Sequence, residues 1–364
     1  MRIYFAIFAS LLFLAAPARA DITIGLAGPF TGENAFLGEQ MKRGAEQAVA
    51  DINAHGGIRG EKIILRQADD ACDPKQAVTV ANRLVSEGIK FVVGHACSGS
   101  SIPASRVYNE EGVLMITPIS SNPALTAAGF ANVFRAIGRD DQEGDIVGQY
   151  ILDHYRDKRI AIVHDQSAWG RGIAEELRKK LNAGGIKKVM FEAITPGEHD
   201  YSPLITKIKQ AHVDVIFLGT HFVEAGLITR QSKEQGTHVQ IIGGDVLVTD
   251  QLWSITGPAG EGVLMSFLSD PRKRPEAQTV VNVFRKSGFE PEGYTLNTYA
   301  AFQVLSKGFE RAGKTDPRKV AIALREGPIN TVIGNLSFDA RGDITGSYYI
   351  MYRWHDGKYA EVAE

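Results

Sequence analysis

The chain has 364 residues, 44% of them hydrophobic and 23% charged, with a formal net charge of -2 at pH 7. That length exceeds one ordinary domain and provides for two sizeable cores. The near-neutral balance excludes the basic field that nucleic acid or an anionic lipid surface requires, so a small or neutral partner is expected.

Residues 1–20 read as a leader for export. Met1-Arg2 gives a positive start, 3–16 are mostly apolar, and Ala18-Arg19-Ala20 has the small-x-small form of a cleavage site before Asp21. An uncleaved anchor is the alternative, and the small residues at the cleavage position weigh against it. No later stretch is apolar for the length of a bilayer, so a soluble exported product without membrane insertion is expected. The two cysteines, Cys72 and Cys97, are either buried thiols or a bridge, and an oxidising compartment favours the bridge. Such a bridge would stabilise the fold by about 3 kcal/mol through restriction of the unfolded chain.

Along the remaining chain strands and helices alternate. Hydrophobic periodicity predicts strands over 22–27, 62–67 and 89–94 with helices over 39–54 and 75–87 between them. A second series follows, with helices over 140–154, 171–182, 202–210 and 224–234, and strands over 159–164, 188–193, 213–218 and 239–242. Beyond Phe267 the alternation gives way to helices over 276–286 and 296–311 and a late strand over 348–354. This rhythm is that of an α/β protein with two doubly wound parallel sheets, rather than one large sheet with peripheral helices. The chain is expected to cross between two lobes more than once, which makes a hinge, with 21–139 and 269–347 in lobe 1 and 140–268 and 348–364 in lobe 2.

Two stretches, 89–98 and 112–126, carry the functional signal. In each, an apolar strand-like run breaks at Gly, Pro or Cys and passes at once into hydroxyl residues. Hydroxyls and backbone N–H groups therefore gather beyond neighbouring strand ends, the place where open α/β sheets bind ligands and where a helix N-terminus suits a carboxylate. Other chemistries find little support. The glycines of Gly25–Gly32 do not match a dinucleotide fingerprint, no phosphate-binding loop occurs, and no cofactor is expected. His221 and Glu224 are the nearest approach to a metal-ligand pair, and no metal is expected. Ser98 invites comparison with a nucleophile, but the G-x-S-x-G elbow is missing.

Four segments resemble the Leu/Ile/Val-binding proteins, the type I periplasmic solute-binding proteins of branched-chain amino-acid ABC transporters. They are Asp69-Asp70-Ala71-Cys72-Asp73-Pro74-Lys75-Gln76-Ala77, Gly94-His95-Ala96-Cys97-Ser98, Leu114-Met115-Ile116-Thr117-Pro118 and Arg159-Ile160-Ala161-Ile162-Val163-His164-Asp165. The similarity extends to 45–60 and to Phe338-Asp339-Ala340-Arg341-Gly342-Asp343, and so over essentially the whole chain after the leader. It implies two lobes joined by a three-strand hinge, a Cys72–Cys97 bridge and a ligand held between the lobes. Position by position, it places donors for an amino acid's α-carboxylate at Ser98 and Ser121, a backbone carbonyl for the α-ammonium at Ile119, and the ammonium's counter-ion at Asp245. Around the ligand's side chain this sequence departs from the pattern. Trp169, His221 and Leu37 stand where the family has Tyr, Ala96 stands where it has a larger apolar residue, and Cys97 completes the ligand-facing set. The pattern's acid is usually Glu, one methylene longer than Asp245.

The resemblance implies a non-enzymatic transport receptor in the periplasm, a monomer that delivers a branched-chain or related amino acid to an inner-membrane ABC permease. Two other classes compete with it. A sensor for an amino acid or amide would share the fold without a transport role. An enzyme would centre on Ser98 or His221.

Overall fold

The computed structural model describes residues 21–346 and 349–362. The expected leader and Tyr348 at the start of the last predicted strand lie outside the described residues. From its first described residue the chain forms β1 (Ile22–Gly28), α1 (Ala35–Ala54), β2 (Ile63–Asp69), α2 (Pro74–Ser86), β3 (Phe91–Gly94), α3 (Ser98–Glu110), β4 (Leu114–Thr117), α4 (Ala124–Ala127) and β5 (Val133–Arg135). These strands make one parallel sheet in the order β2-β1-β3-β4-β5.

The second series comprises α5 (Asp140–His154), β6 (Ile160–His164), α6 (Ala168–Ala183), β7 (Met190–Ala193), α7 (Ser202–Gln210), β8 (Val215–Gly219), α8 (Phe222–Glu234), β9 (Gln240–Gly243), α9 (Asp250–Thr256) and β10 (Leu264–Leu268). The chain then returns to the first sheet with α10 (Gln278–Lys286), α11 (Thr295–Ala312), α12 (Pro317–Ala323) and the hairpin β11 (Ile329–Thr331) and β12 (Gly334–Leu336). It ends on the second sheet with β13 (Tyr349–His355) and β14 (Lys358–Glu361). That sheet runs β14-β13-β10-β9-β8-β6-β7. It is parallel from β10 to β7, whereas β13 and β14 join as an antiparallel edge. Among the described residues no helix is long and apolar enough to cross a membrane.

Local chemistry sets the element boundaries. α2 begins where Asp73 caps the N–H of Gln76 at 2.7 Å and Pro74 takes the first helical position, and its buried face is Ala77, Val80, Ala81 and Leu84. α6 begins three residues before the expected start because Ser167 caps Gly170 at 2.9 Å. α1 likewise starts at Ala35 rather than at 39, and glycine at position 38 makes that first turn possible. A Cβ there would stand 2.0 Å from the carbonyl oxygen of Pro29, so only hydrogen lets the helix lie against the end of β1. Gly44 plays the same part where α1 crosses α11, since a Cβ would stand 2.3 Å from the Thr295 carbonyl oxygen.

The chain passes between the sheets after β5, after β10 and before β13, and one buried network ties the first and last crossings. Arg135, fully buried, donates to Asp343 at 2.9 Å and to the hydroxyl of Thr126 at 2.8 Å, while Arg139 reaches the other Asp343 oxygen at 3.0 Å. A second arm of Arg135 donates to the carbonyls of Ser120 and Asn122 at 2.9 and 3.1 Å. The hinge region thus holds the loop that follows β4.

Candidate functional site

The two strand orders each reverse direction at one point, between β1 and β3 in the first sheet and between β6 and β8 in the second. Crevices beyond the carboxyl ends of strands at such points are where open α/β sheets take ligands. Here the two crevices face each other around a cavity of about 250 Å³. The structure brings all nine residues singled out in the sequence to its wall: Leu37, Ala96, Cys97, Ser98 and Ile119 with Ser121, Trp169, His221 and Asp245. Asn122 donates to the Ala168 carbonyl across the two halves at 2.7 Å, and the rings of Phe36 and Phe222 meet edge to face at 4.5 Å. The halves are therefore in contact beside the cavity.

One end of the cavity is built of neutral donors. Ser98 opens α3 after Cys97, whose extended backbone makes it the N-cap. The N–H groups of Ser100 and Ser101 go to the Cys97 carbonyl, so those of Ser98 and Gly99 are first-turn donors without a partner inside the helix. The Ser98 hydroxyl accepts the Asn122 N–H at 3.3 Å, which sets α3 against the loop bearing Ile119 and Ser121. That loop is rigid. Thr117 Oγ1 takes the Ile119 and Ser120 N–H groups at 3.3 and 2.9 Å and donates to the His95 carbonyl at 2.7 Å, while Ser120 donates to the Ala96 carbonyl at 2.7 Å. His95 is fixed in turn between Asp70 at 2.5 Å and the Tyr108 hydroxyl at 3.0 Å. The Cys72–Cys97 disulfide, with Cα atoms 5.5 Å apart, closes the wall beside α3.

The opposite end is acidic. Asp245 follows β9 in the short 3-10 turn Asp245–Leu247, is only 2% exposed, and has no hydrogen-bond partner on either carboxyl oxygen. Burial pushes its carboxyl up to about 7, against the pull of the Tyr294 hydroxyl and the His221 imidazole. Tyr294 faces Asp245 from the first lobe's return segment, with its hydroxyl outside full hydrogen-bond geometry. A buried carboxyl of this kind calls for a cation at its free oxygens.

Between these ends the wall is mostly apolar, with Leu37, Ala96, the disulfide and Trp169. Trp169 lies at the start of α6, nearly buried, with its indole N–H unpartnered. His221 occupies the position just before α8, and its Nδ1 pairs with Asp165 at 3.0 Å, while its ring lies 5.5 Å from that of Trp169. Burial pulls His221 down, but the hydrogen bond and charge of Asp165, with Glu224 and Asp245 beyond, outweigh it and hold the imidazole above its ordinary value. Burial pushes Asp165 up, but the hydrogen bond and charge of His221, together with the hydrogen bonds from Ser167, outweigh it and hold the carboxyl below its usual range.

The Ser98 hydroxyl thus accepts from Asn122, and His221 pairs through Nδ1 with Asp165. Among the described residues no group of three or more His, Cys, Asp and Glu is placed to hold a metal. Sequence reasoning did not assign Glu33, Asp165, Ser167, Glu224 or Tyr294 to this wall. Asp165 closes one of the segments quoted for the resemblance and sits just past a strand end, which was the one signal that marked it.

The sequence profile of the family described as periplasmic binding protein matches residues 21–358. The Leu/Ile/Val-binding protein homolog 1 of Brucella melitensis is 48% identical over 360 residues, which span 98% of this chain and 97% of that protein. A protein of Pseudomonas aeruginosa named amino acid binding protein is 48% identical over 357 residues, 97% of this chain and 96% of its own length. Among solved structures, a leucine binding protein of Thermotoga maritima superposes with a TM-score of 0.88 at 25% identity, covering 94% of this chain and 98% of that one. The chain belongs to the periplasmic binding protein family.

Proposed function

We propose that this protein captures a free amino acid in the cavity between its lobes and delivers it to an inner-membrane ABC permease, acting as a periplasmic monomer after removal of residues 1–20. The lobes in this reading are 21–139 with 269–347 and 140–268 with 348–364. One observation carries it: a cavity with neutral donors at one end and a buried, unpartnered carboxylate at the other. That polarity matches a zwitterion, whose two charges must both be met when it leaves water. Ser98, Gly99 and Ser121 would receive the carboxylate, and Asp245, with the Ile119 carbonyl, the ammonium. Because the donors and the acid lie on different lobes, the ligand favours the closed arrangement. The names of the relatives, which include Leu/Ile/Val-binding and amino acid binding proteins, support the same class of ligand.

The side-chain end distinguishes this chain within that class. His221 brings a polar, titratable group to a wall where Trp169 supplies an apolar cover, so the preferred side chain is polar or aromatic as well as aliphatic. Calorimetry with each of the twenty L-amino acids tests both statements. At least one is expected to bind with a defined stoichiometry of one, and a polar or aromatic amino acid is expected to match or exceed leucine. Binding by none would defeat the amino-acid reading. Strong preference for leucine, isoleucine and valine over all others would defeat the altered specificity.

A further inference from the structure

Behind Asp245 lies a group that the capture of an amino acid does not by itself require. α5 brings Asp140 and Glu143 beneath the turn that carries Asp245, and the three carboxyls are 0%, 0% and 2% exposed. Glu143 Oε1 accepts the Asp245 N–H at 2.8 Å and the Ser266 hydroxyl at 2.6 Å. Its Oε2, both carboxyl oxygens of Asp140 and both of Asp245 have no hydrogen-bond partner. The hydroxyls of Tyr294 and Tyr349 and the indole N–H of Trp169 are likewise buried and unpartnered around them.

The charges facing this trio do not balance it. Asp140 feels Ser121 and Arg135, together with the like charge of Asp141. Asp245 feels Tyr294 and His221. Glu143 feels the other two acids and Ser266, with Tyr294 and Tyr349 beside it. Arg135 is already paired with Asp343, and His221 with Asp165. Three carboxylates in so dry a space cannot all be ionised, so the trio holds protons until a cation enters.

We propose that Asp140, Glu143 and Asp245 form a proton-exchanging amine subsite, in which an ammonium arriving at Asp245 expels one of the protons the trio holds. This rests on the amino-acid reading above. The carboxyl O–H gives its proton to solvent, and the carboxylate left behind accepts an N–H of the incoming ammonium, so one positive charge enters as one leaves. Burial places Asp140 up at about 8 and Asp245 at about 7, and burial followed by repulsion from the two aspartates lifts Glu143 well above the carboxyl range. Ammonium binding favours the ionised form and lowers these values. Protons therefore leave on binding near neutral pH, and affinity tightens as pH rises through that window, by up to about tenfold per pH unit for one full proton.

The test is calorimetry at pH 6, 7 and 8 in buffers of different ionisation heat, with whichever of the twenty L-amino acids binds tightest as probe. Wild type is expected to release roughly half to one proton per molecule bound at pH 7, with affinity weakening about three- to tenfold from pH 7 to pH 6. Glu143→Gln keeps an oxygen for the Asp245 N–H and the Ser266 hydroxyl but removes one of the three buried carboxyls. Because Glu143 keeps its own proton at neutral pH and burial alone lifts Asp245, proton release at pH 7 is expected to persist in this variant. A readout without ligand accompanies it. Raised carboxyl values mean that stability is full below the ordinary carboxyl range and is lost as pH rises through the raised values, so Glu143→Gln should gain about 2 °C or more on wild type at pH 8.5 relative to pH 5. Binding without proton release in wild type, or a Glu143→Gln variant with the wild-type stability profile between pH 5 and pH 8.5, would overturn the inference. Failure of every amino acid to bind would instead overturn the reading on which it rests.

Discussion

Asp245→Ala is expected to abolish tight amino-acid binding and leave the fold intact. The carboxyl is buried and makes no hydrogen bond to the protein, so its removal breaks no contact that holds β9 or the turn after it. The ligand's ammonium, by contrast, would enter a closed cavity and meet no carboxylate at its nearest position. Leaving a buried charge without its partner costs about 3–5 kcal/mol, or roughly two to four powers of ten in affinity. Calorimetry measures the loss, and thermal unfolding shows that it is not a folding defect. In fact, the melting temperature above neutral pH should hold or rise, because a carboxyl that burial pushes up to about 7 no longer has to ionise in the dry interior. An unchanged affinity would place the amine elsewhere.

Arg135→Ala is expected to destabilise the protein by about 3–5 kcal/mol, because it leaves Asp343 buried with a single charged partner, the partly exposed Arg139. The consequences reach the site. Arg135 also holds the carbonyls of Ser120 and Asn122, which flank Ser121, so the loop that presents donors to the carboxylate end loses its anchor together with the hinge. Urea denaturation should show a lower midpoint, and the amino acid that binds wild type best should bind the variant more weakly. The pH dependence follows from the same network. Burial pushes Asp343 up, but the charge of Arg135 and the hydrogen bonds from Thr126, Arg135 and Arg139 outweigh it and hold the carboxyl below its ordinary value. Its contribution is thus present above the unfolded Asp value near ~4 and is lost as pH falls through the lowered one. Wild type and variant should converge in stability at strongly acid pH.

Periodicity made the central strands and the longer amphipathic helices legible, because their apolar faces are regular and their ends carry caps such as Asp73 and Ser167. α3 escaped it. Its first turn is Ser-Gly-Ser-Ser with Pro103 following, and the buried side is made of small hydroxyl residues rather than an apolar stripe, so the sequence reads as a loop. β14 is short and exposed, with charged residues at both ends, and becomes a strand only because β13 offers it an edge. α9, α12 and the β11–β12 hairpin are too short for a periodic signal.

The site divides in the same manner. Hydroxyls gathered past strand ends pointed to the carboxylate end, and the family resemblance supplied Asp245, Trp169 and His221. The acids beneath Asp245 left no such trace. Asp140 and Glu143 read as the acidic first turn of α5, where carboxylates favour the helix dipole, and only the packing of α5 under the β9 turn turns them inward. Tyr294 and Asp165 reach the cavity through the tertiary fold as well, from a connection before α11 and from the strand end that faces His221.

A crystal structure of the protein with its tightest-binding amino acid tests the central claim most directly. The expected density lies in the cavity between the lobes, with the ammonium nitrogen about 3 Å from a carboxyl oxygen of Asp245 and the carboxylate against the first turn of α3 and Ser121. An amino acid bound outside this cavity, or bound within it with its nitrogen facing no acidic group, would contradict the assignment.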